Sequence, residues 1–145
     1  MEFYVYAYLD PRKPGIYKYD DLHFDFEPFY IGKGKGRRFY QHLINYKKRS
    51  TKNKHYDISA KIGEIVNNSY YPIIIKIMEN LCEKSALQIE EDIIRKIGRL
   101  IDNKGPLTNI AIGNSSPSFS GYKWKNPMPI ESRIKISKKM KELNS

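Results

Sequence analysis

The chain has 145 residues, 40% of them hydrophobic, and this length suits one compact domain with a short tail. Its single cysteine, Cys82, excludes an intrachain disulfide and fits a reducing compartment. No apolar run is long enough to span a membrane, and the N-terminus lacks a secretory pattern. We therefore expect a soluble, cytoplasmic protein.

The formal charge of +10 is concentrated in two blocks of the chain. Residues 33–56 carry nine basic and no acidic side chains, and residues 114–145 carry seven basic and two acidic ones. Two solubilising stretches would be the simplest explanation. A 24-residue window without one acidic side chain is, however, more typical of a surface that binds a polyanion. Composition leaves open whether that polyanion is DNA, RNA or an acidic membrane surface.

The first part of the chain predicts two strands separated by an insertion. Residues 3–9 are rich in β-forming side chains, and Asp10-Pro11 is expected to end this strand. Turn residues and a short alternating stretch predict a hairpin extension over residues 11–27. A second core strand is predicted at residues 29–32, and a flexible, glycine-rich basic turn at residues 32–36.

The middle of the chain predicts three helices and a third strand. A basic helix is expected at about residues 37–46, with Phe39, Leu43 and Tyr46 as its apolar stripe. A second helix at residues 57–66 is followed by a strand at 71–78, whose continuous apolar run indicates that both faces are covered. Ser85 and Gln88 have the spacing of a capping box, which predicts a third helix from residue 85 to 97, ended by Gly98.

This β-β-α-α-β-α order predicts an α/β (α+β) domain with a small, mainly antiparallel three-stranded sheet flanked by helices. We expect the catalytic or binding domain to cover residues 1–113. Residues 114–129 are rich in Gly, Asn, Ser and Pro and predict a linker. Residues 130–145 predict a basic helical tail.

Acidic side chains on the third predicted helix are candidates for metal binding. Helical spacing places Glu90 among the apolar, core-facing residues, where a carboxylate is costly unless a cation or several donors meet it. Spacing alone leaves two possibilities open, namely a metal ligand or a carboxylate that reaches solvent or a basic partner. Glu91 and Asp92 share faces with basic residues and are expected to be surface charges paired at i,i+4.

Basic side chains elsewhere are candidates for contact with phosphate. Arg38 and His42 lie four residues apart on one helix face, although a partly exposed pair on a charged helix is the simpler interpretation. Lys33 and Lys35 alternate with glycines, which allow close approach of a phosphate to the backbone. His55 stands alone in a predicted loop.

Taken in order, these features resemble the GIY-YIG endonuclease family. Tyr30-Ile31-Gly32 matches the second tripeptide of that family, and Arg38, His42 and Glu90 follow it in the expected order. Asn109 closes the set in the segment Gly105-Pro106-Leu107-Thr108-Asn109. The resemblance covers residues 3–113 and implies the GIY-YIG nuclease fold.

The first tripeptide of the family has two candidates. The literal string Gly15-Ile16-Tyr17 lies in a turn-rich, charged region, whereas Tyr4-Val5-Tyr6 lies in the apolar first strand. We assign the first catalytic tyrosine to Tyr6, with Tyr17 as the alternative. This assignment departs from the family pattern, because Tyr4 stands where the motif has glycine.

The resemblance implies a Mg²⁺-dependent hydrolase of phosphodiester bonds in double-stranded DNA, with Mn²⁺ as a substitute ion and no small-molecule cofactor or membrane partner. Glu90 would hold the ion, Arg38 would contact the phosphate, and Tyr6 would orient or deprotonate water. Tyr30 and His42 would assist through hydrogen bonds or proton transfer. The side chains expected to contact DNA are Lys33, Lys35, Arg37, His55, Asn109, Lys123, Lys125, Arg133, Lys135, Lys138 and Lys139.

The tail at residues 129–141 resembles the nuclease-associated modular DNA-binding motif of homing endonucleases, although a generic basic amphipathic helix is the alternative. This resemblance favours a phage or mobile-element homing-type enzyme. Two further functions stay open from the residues, namely a non-catalytic nucleic-acid-binding module on the same fold and an RNA-binding basic protein. A pure binding module does not need a carboxylate on a buried helix face, and this favours the enzyme.

Overall fold

A computed structural model of the chain describes residues 2–48 and 56–110. The strands and α-helices of the described residues are β1 (Phe3–Tyr19), β2 (Leu22–Lys35), α1 (Gln41–Asn45), α2 (Ile58–Asn67), β3 (Ile73–Leu81) and α3 (Glu83–Ile97). This order confirms the predicted β-β-α-α-β-α arrangement. Residues 49–55, the predicted linker at 114–129 and the predicted tail at 130–145 lie outside the described residues.

The described strands form one antiparallel sheet in the order β2-β1-β3, which confirms the predicted fold class. In the central strand β1, Tyr6 lies opposite Gly32 of β2 on one side and Lys76 of β3 on the other. Tyr8 likewise lies opposite Tyr30 of β2. The two tyrosines of the expected site therefore lie on adjacent strands of the sheet.

The sheet separates two apolar clusters, because neighbouring side chains on a strand point to opposite faces. On one face, β1 packs against α3 through Val5, Ala7 and Leu9. On the other face, Tyr4, Tyr6 and Tyr8 pack with the residues of α1 and α2. The isoleucines of β3 contribute to both clusters, as the continuous apolar run predicted.

The β1–β2 hairpin is longer than the sequence predicts. Asp10-Pro11 does not end the first strand, which continues to Tyr19 and turns at residues 20–21. Pairing of β1 with β3 stops at Leu9, so beyond it the prolines lie on an edge strand, where a missing N–H is tolerated. Register shifts in the β1–β2 pairing absorb the extra residues, as bulges do. The expected hairpin extension is therefore confirmed, and it forms as a continuation of strands β1 and β2.

The glycine-rich segment after the second tripeptide is strand, not turn. Strand β2 continues through Lys33, Gly34 and Lys35, and the backbone turns at Gly36, which has a φ of 61°. The predicted basic helix at 37–46 is also divided, with 3₁₀ turns at Arg38–Tyr40 and Tyr46–Lys48 flanking the short α1. Its predicted apolar residues still pack against the tyrosine face of the sheet.

Helix α3 begins earlier than the capping box predicts. The N-cap is Cys82, whose sulfur accepts the backbone N–H of Ser85 at 3.4 Å. Ser85 is therefore inside the first turn, and the capping-box assignment is wrong. Gly98 ends the helix as predicted, with a φ of 97° that favours glycine. No helix of the described residues is long and apolar enough to cross a membrane.

Candidate active site

Three tyrosines project from β1 on one face, and two of them hold the segment that follows β2. The Tyr4 hydroxyl donates to Gly36 O at 2.8 Å and accepts the N–H of Phe39 at 3.1 Å. The Tyr8 hydroxyl donates to Phe39 O at 2.5 Å. Between them, the Tyr6 hydroxyl forms no hydrogen bond with any described residue. Among the described residues, Tyr6 is thus the member of this row whose hydroxyl has no hydrogen-bond partner, and its side chain is buried.

Glycines of β2 make room for the site. A Cβ at Gly32 would lie 2.5 Å from the Tyr6 hydroxyl and 3.0 Å from the Tyr30 ring. A Cβ at Gly34 would lie 2.6 Å from Cβ of Arg38. The sequence suggested that these glycines let a phosphate approach the backbone. In the structure they also leave the space that the side chains of Tyr6 and Arg38 occupy. Their close packing fixes Tyr6 and Arg38 against β2.

Tyr30 and His42 form a pair across β2 and α1. The Tyr30 hydroxyl lies 3.2 Å from His42 Nε2, and the two ring centroids are 4.7 Å apart. Burial, aided by the charge of Arg38, lowers the pKa of His42, so the imidazole is neutral near pH 7. Burial and the charge of Glu90 raise the pKa of Tyr30 to about 12. Both shifts keep the proton on Tyr30, so its phenol can donate a hydrogen bond to the neutral imidazole.

Helix α3 brings the carboxylate of Glu90 to these tyrosines. Burial raises the pKa of Glu90 to about 7, although the charge and backbone N–H of Lys33 oppose this shift. The charge of Glu90 in turn raises the pKa of both Tyr6 and Tyr30. A half-buried carboxylate with so little compensation is suited to binding a cation.

The donor set fits a magnesium ion held by one protein carboxylate. Magnesium commonly takes one or two carboxylates and completes its shell with water and phosphate oxygens. Among the described residues there is no group of three or more His, Cys, Asp or Glu side chains that could form an all-protein cage. Glu90, within electrostatic range of Tyr6 and Tyr30, matches the open arrangement.

Arg38 is exposed and lies next to this cluster. Its charge lowers the pKa of Tyr6, Tyr30 and His42, which places the guanidinium within electrostatic range of all three groups. An exposed arginine in this position can bind a phosphate and neutralise the negative charge that develops on it. The structure therefore brings together Tyr6, Tyr30, Arg38, His42 and Glu90.

Comparison with known families agrees with this geometry. The family model of the LEM-3-like GIY-YIG domain matches residues 3–132. This chain belongs to the GIY-YIG family. No curated protein and no solved structure matches the chain. The match confirms the family resemblance, and it extends beyond residue 113, where the sequence predicted the end of the domain.

Residues near the GIY-YIG tripeptide take several different positions. Lys33 lies 3.8 Å from Glu83 of α3, and Lys35 and Arg37 are exposed. Asn109 is buried, and its side chain accepts the N–H of Ile31 at 3.0 Å and donates to the carbonyl of Ile31 at 2.8 Å. Its amide thus makes the two hydrogen bonds to Ile31 that a neighbouring strand would otherwise make. This geometry indicates that Asn109 holds β2 in place. Contact of Asn109 with DNA stays a prediction.

Several predicted DNA contacts of this GIY-YIG chain lie outside the described residues. They are His55, Lys123, Lys125, Arg133, Lys135, Lys138 and Lys139. Their proposed contacts stay predictions. Tyr17, the alternative first tyrosine, lies in the hairpin extension and packs beside the α3 face of the sheet. The structure therefore places it on the opposite face from Tyr6.

The acidic neighbours of Glu90 correct one expectation for α3. Glu91 and Asp92 form the predicted i,i+4 pairs, with Arg95 at 2.9 Å and Lys96 at 3.3 Å. Both carboxylates are nevertheless buried, with relative exposures of 2% and 9%, instead of lying on the surface. Helical periodicity gives the face that a residue occupies but not how completely that face is covered.

Sequence reasoning missed the positioning tyrosines of the GIY-YIG site. Tyr4 and Tyr8 hold the backbone that leads to Arg38 and His42, yet only Tyr6 was assigned a role. The alternation of the first strand placed all three on one face, and this was the available signal. Their separate tasks depend on hydrogen bonds to residues more than 30 positions away.

Proposed function

We propose that this chain is a metal-dependent endonuclease that hydrolyses phosphodiester bonds in double-stranded DNA. The observation that carries the proposal is the convergence of Tyr6, Tyr30, Arg38, His42 and Glu90 beside β2. These are the residues that the family pattern associates with catalysis, and they come from five elements or turns of the chain. A fold retained only for binding does not require a half-buried carboxylate within electrostatic range of two tyrosines.

Glu90 is the proposed ligand for Mg²⁺, which Mn²⁺ can replace. A bound divalent ion supplies a Lewis acid that polarises phosphate oxygens and stabilises negative charge on them. The raised pKa of Glu90 supports this assignment, because burial of an unneutralised carboxylate is costly. Binding of a cation would offset that cost.

Tyr6 is proposed to orient the attacking water. Burial, together with the charges of neighbouring groups, raises the pKa of Tyr6 above its usual value, so the phenol keeps its proton at neutral pH. A protonated phenol can still accept a hydrogen bond from water. That hydrogen bond would orient the water so that its oxygen lone pair points at phosphorus. Arg38 is proposed to neutralise the pentavalent transition state from the solvent side.

The Tyr30–His42 pair is proposed to relay a proton during the reaction. Neutral His42 can accept a proton at Nε2, and the Tyr30 hydroxyl lies 3.2 Å from that atom. Such transfers contribute about 10²- to 10⁴-fold to the rates of enzymes that use them.

The basic segment that follows β2 is proposed to hold the DNA backbone. Lys33, Lys35 and Arg37 flank the site, and each phosphate that a protein neutralises makes binding more sensitive to salt. The predicted tail contacts would extend this surface. A homing-type role in a phage or mobile element, in an intracellular setting, is part of this proposal and rests on the sequence of the tail.

Cleavage of supercoiled plasmid by the full chain, with and without Mg²⁺ or Mn²⁺, tests the proposal. We expect metal-dependent nicking or linearisation, and we expect Glu90→Gln to abolish it while DNA binding is retained. The substitution removes the charge but keeps the shape of the side chain. Glu91→Gln is the matched control, because Glu91 is the next residue on α3 and is engaged with Arg95.

Two outcomes would contradict this assignment. Normal cleavage by Glu90→Gln, together with loss of cleavage in Glu91→Gln, would move the metal ligand to the neighbouring position. Binding of DNA without cleavage under any metal condition would favour the non-catalytic module on the same fold.

A further inference from the structure

Lys76 stands in the same cross-strand row as Tyr6. The row runs from Gly32 in β2 through Tyr6 in β1 to Lys76 in β3. Directly opposite residues on antiparallel strands point to the same face, and their Cβ atoms are about 5 Å apart. Lys76 therefore lies beside Tyr6 on the side away from β2, on the face that also carries Arg38.

The ammonium group of Lys76 is placed between two aromatic rings. Its Nζ lies 4.6 Å from the centroid of Tyr4 and 4.8 Å from that of Phe39. Tyr4 and Phe39 are themselves joined by a hydrogen bond, so the lysine rests on a fixed platform next to Arg38. Aromatic faces attract a cation without neutralising its charge.

The charge of Lys76 is only weakly compensated. Its ion pair is with Glu79 at 3.5 Å, and the two side chains are 30% and 57% exposed. Exposed pairs of this kind contribute little to stability and exchange readily with a stronger anion. A phosphate is such an anion.

We infer that Lys76 binds a DNA phosphate adjacent to the one at which cleavage occurs. Lys33 and Lys35 lie beside the Phe3 ring on the α3 face of the sheet, whereas Lys76 lies on the tyrosine face. Lys76 would hold the backbone on the β3 side of the reacting phosphate. Because the aromatic rings already restrict its side chain, less conformational freedom would be lost on binding. This inference rests on the proposed function.

The salt dependence of DNA binding tests the inference. All proteins carry Glu90→Gln, so that DNA remains uncut, and the probe is a duplex oligonucleotide titrated at several salt concentrations. Lys76→Met, which keeps the aliphatic stem, is expected to lower the slope of log K against log salt by about one, the value for one lost phosphate contact. Lys76→Arg is expected to keep the parent slope.

Lys13→Met is the matched control, because Lys13 is also paired with a glutamate, Glu27 at 3.4 Å, but lies on the hairpin extension. Its slope is expected to equal that of the parent. An unchanged slope in Lys76→Met, with a parent that binds DNA normally, would overturn this inference and leave the proposed function intact. A lower melting temperature with that unchanged slope would show that Lys76 only packs against the rings. A parent that binds no DNA would overturn the proposed function as well.

Discussion

Tyr6 and Tyr17 lie in the same strand, β1, but on opposite faces of the sheet. Tyr6 packs over Gly32 on the face that carries Arg38, and its hydroxyl has no hydrogen bond within the described residues. Tyr17 lies opposite Phe24 in the hairpin extension, and its hydroxyl donates to Lys13 O at 3.3 Å. The literal Gly-Ile-Tyr string therefore marks a peripheral strand segment.

Tyr6→Phe is expected to lower the rate of cleavage by about 10²-fold or more, because the hydroxyl that orients water is removed. Tyr17→Phe is expected to stay within a few-fold of wild type, since it loses one partly exposed hydrogen bond. Single-turnover kinetics on a plasmid substrate would measure both. An inactive Tyr17→Phe beside an active Tyr6→Phe would reverse the assignment.

At the scale of the element, the site depends on how closely β2 approaches its neighbours. Gly32 lies directly opposite Tyr6, and the ring of Tyr6 occupies the space where a side chain would project. On its other side, β2 is completed by Asn109 and Thr108, which bind the backbone of Ile31 and Phe29. Strand β2 is held from both sides and cannot move away, so a larger side chain at Gly32 would have to push the Tyr6 ring aside.

Gly32→Ala is expected to displace the Tyr6 ring and to lower cleavage by about 10²-fold, since misplacement of about 1 Å has effects of this size. Gly63→Ala is the control. A Cβ there would make ordinary contact with Tyr46 at 3.8 Å, and in helix α2 alanine should raise the free energy of unfolding by up to about 1 kcal/mol. Cleavage rates and urea unfolding would measure both effects. A Gly32→Ala enzyme with the wild-type rate would show that the fit is not required.

At the scale of the whole molecule, a buried ionic cluster joins the end of the core part of β1 to α2. Asp10 is fully buried and contacts Arg12 at 2.9 Å and Lys61 at 3.1 Å. Burial would raise the pKa of Asp10, but its hydrogen bonds with Arg12 and Lys61 outweigh this and lower it to about 2. Arg12 continues the cluster to Glu64, at the surface of α2.

The lowered pKa of Asp10 makes stability depend on pH. Because the folded pKa lies below the unfolded one, the stabilisation is complete well above the unfolded pKa near 3.8 and is lost as pH falls to about 2. We expect this group to account for about 2 kcal/mol of the decrease in the free energy of unfolding between pH 6 and pH 2. Asp10→Asn should remove that part of the pH dependence.

At neutral pH, Asp10→Asn is expected to destabilise the protein by about 3 kcal/mol or more, because Lys61 loses its buried partner. Glu27→Gln, which breaks the exposed pair with Lys13, should change stability by less than about 1 kcal/mol. Urea unfolding from pH 2 to pH 7 would measure these differences. Equal pH dependence in Asp10→Asn and wild type would exclude Asp10 as the source.

The family, the order of the elements and most residues of the candidate site follow from patterns in the sequence alone. Alternation along β1 placed Tyr4, Tyr6 and Tyr8 on one face, and the motif order selected Arg38 and Glu90. These features depend on periodicity and on short spacings, which are properties of neighbouring residues in the chain. The end of β1, by contrast, was predicted too early. Asp10-Pro11 locally disfavours a strand, but β1 continues past it because it still pairs with β2 after its pairing with β3 has stopped.

Which tyrosine hydroxyls of β1 have hydrogen-bond partners among the described residues depends on the folded structure. Tyr4 and Tyr8 are bound to the backbone after β2, and Asn109 is bound to Ile31, through contacts between residues 31 to 78 positions apart. The folded structure also decided that Gly32 must stay small and that Glu91 and Asp92 are buried. Such contacts arise when elements pack together, and no local pattern in the sequence encodes which partner will fill a given space.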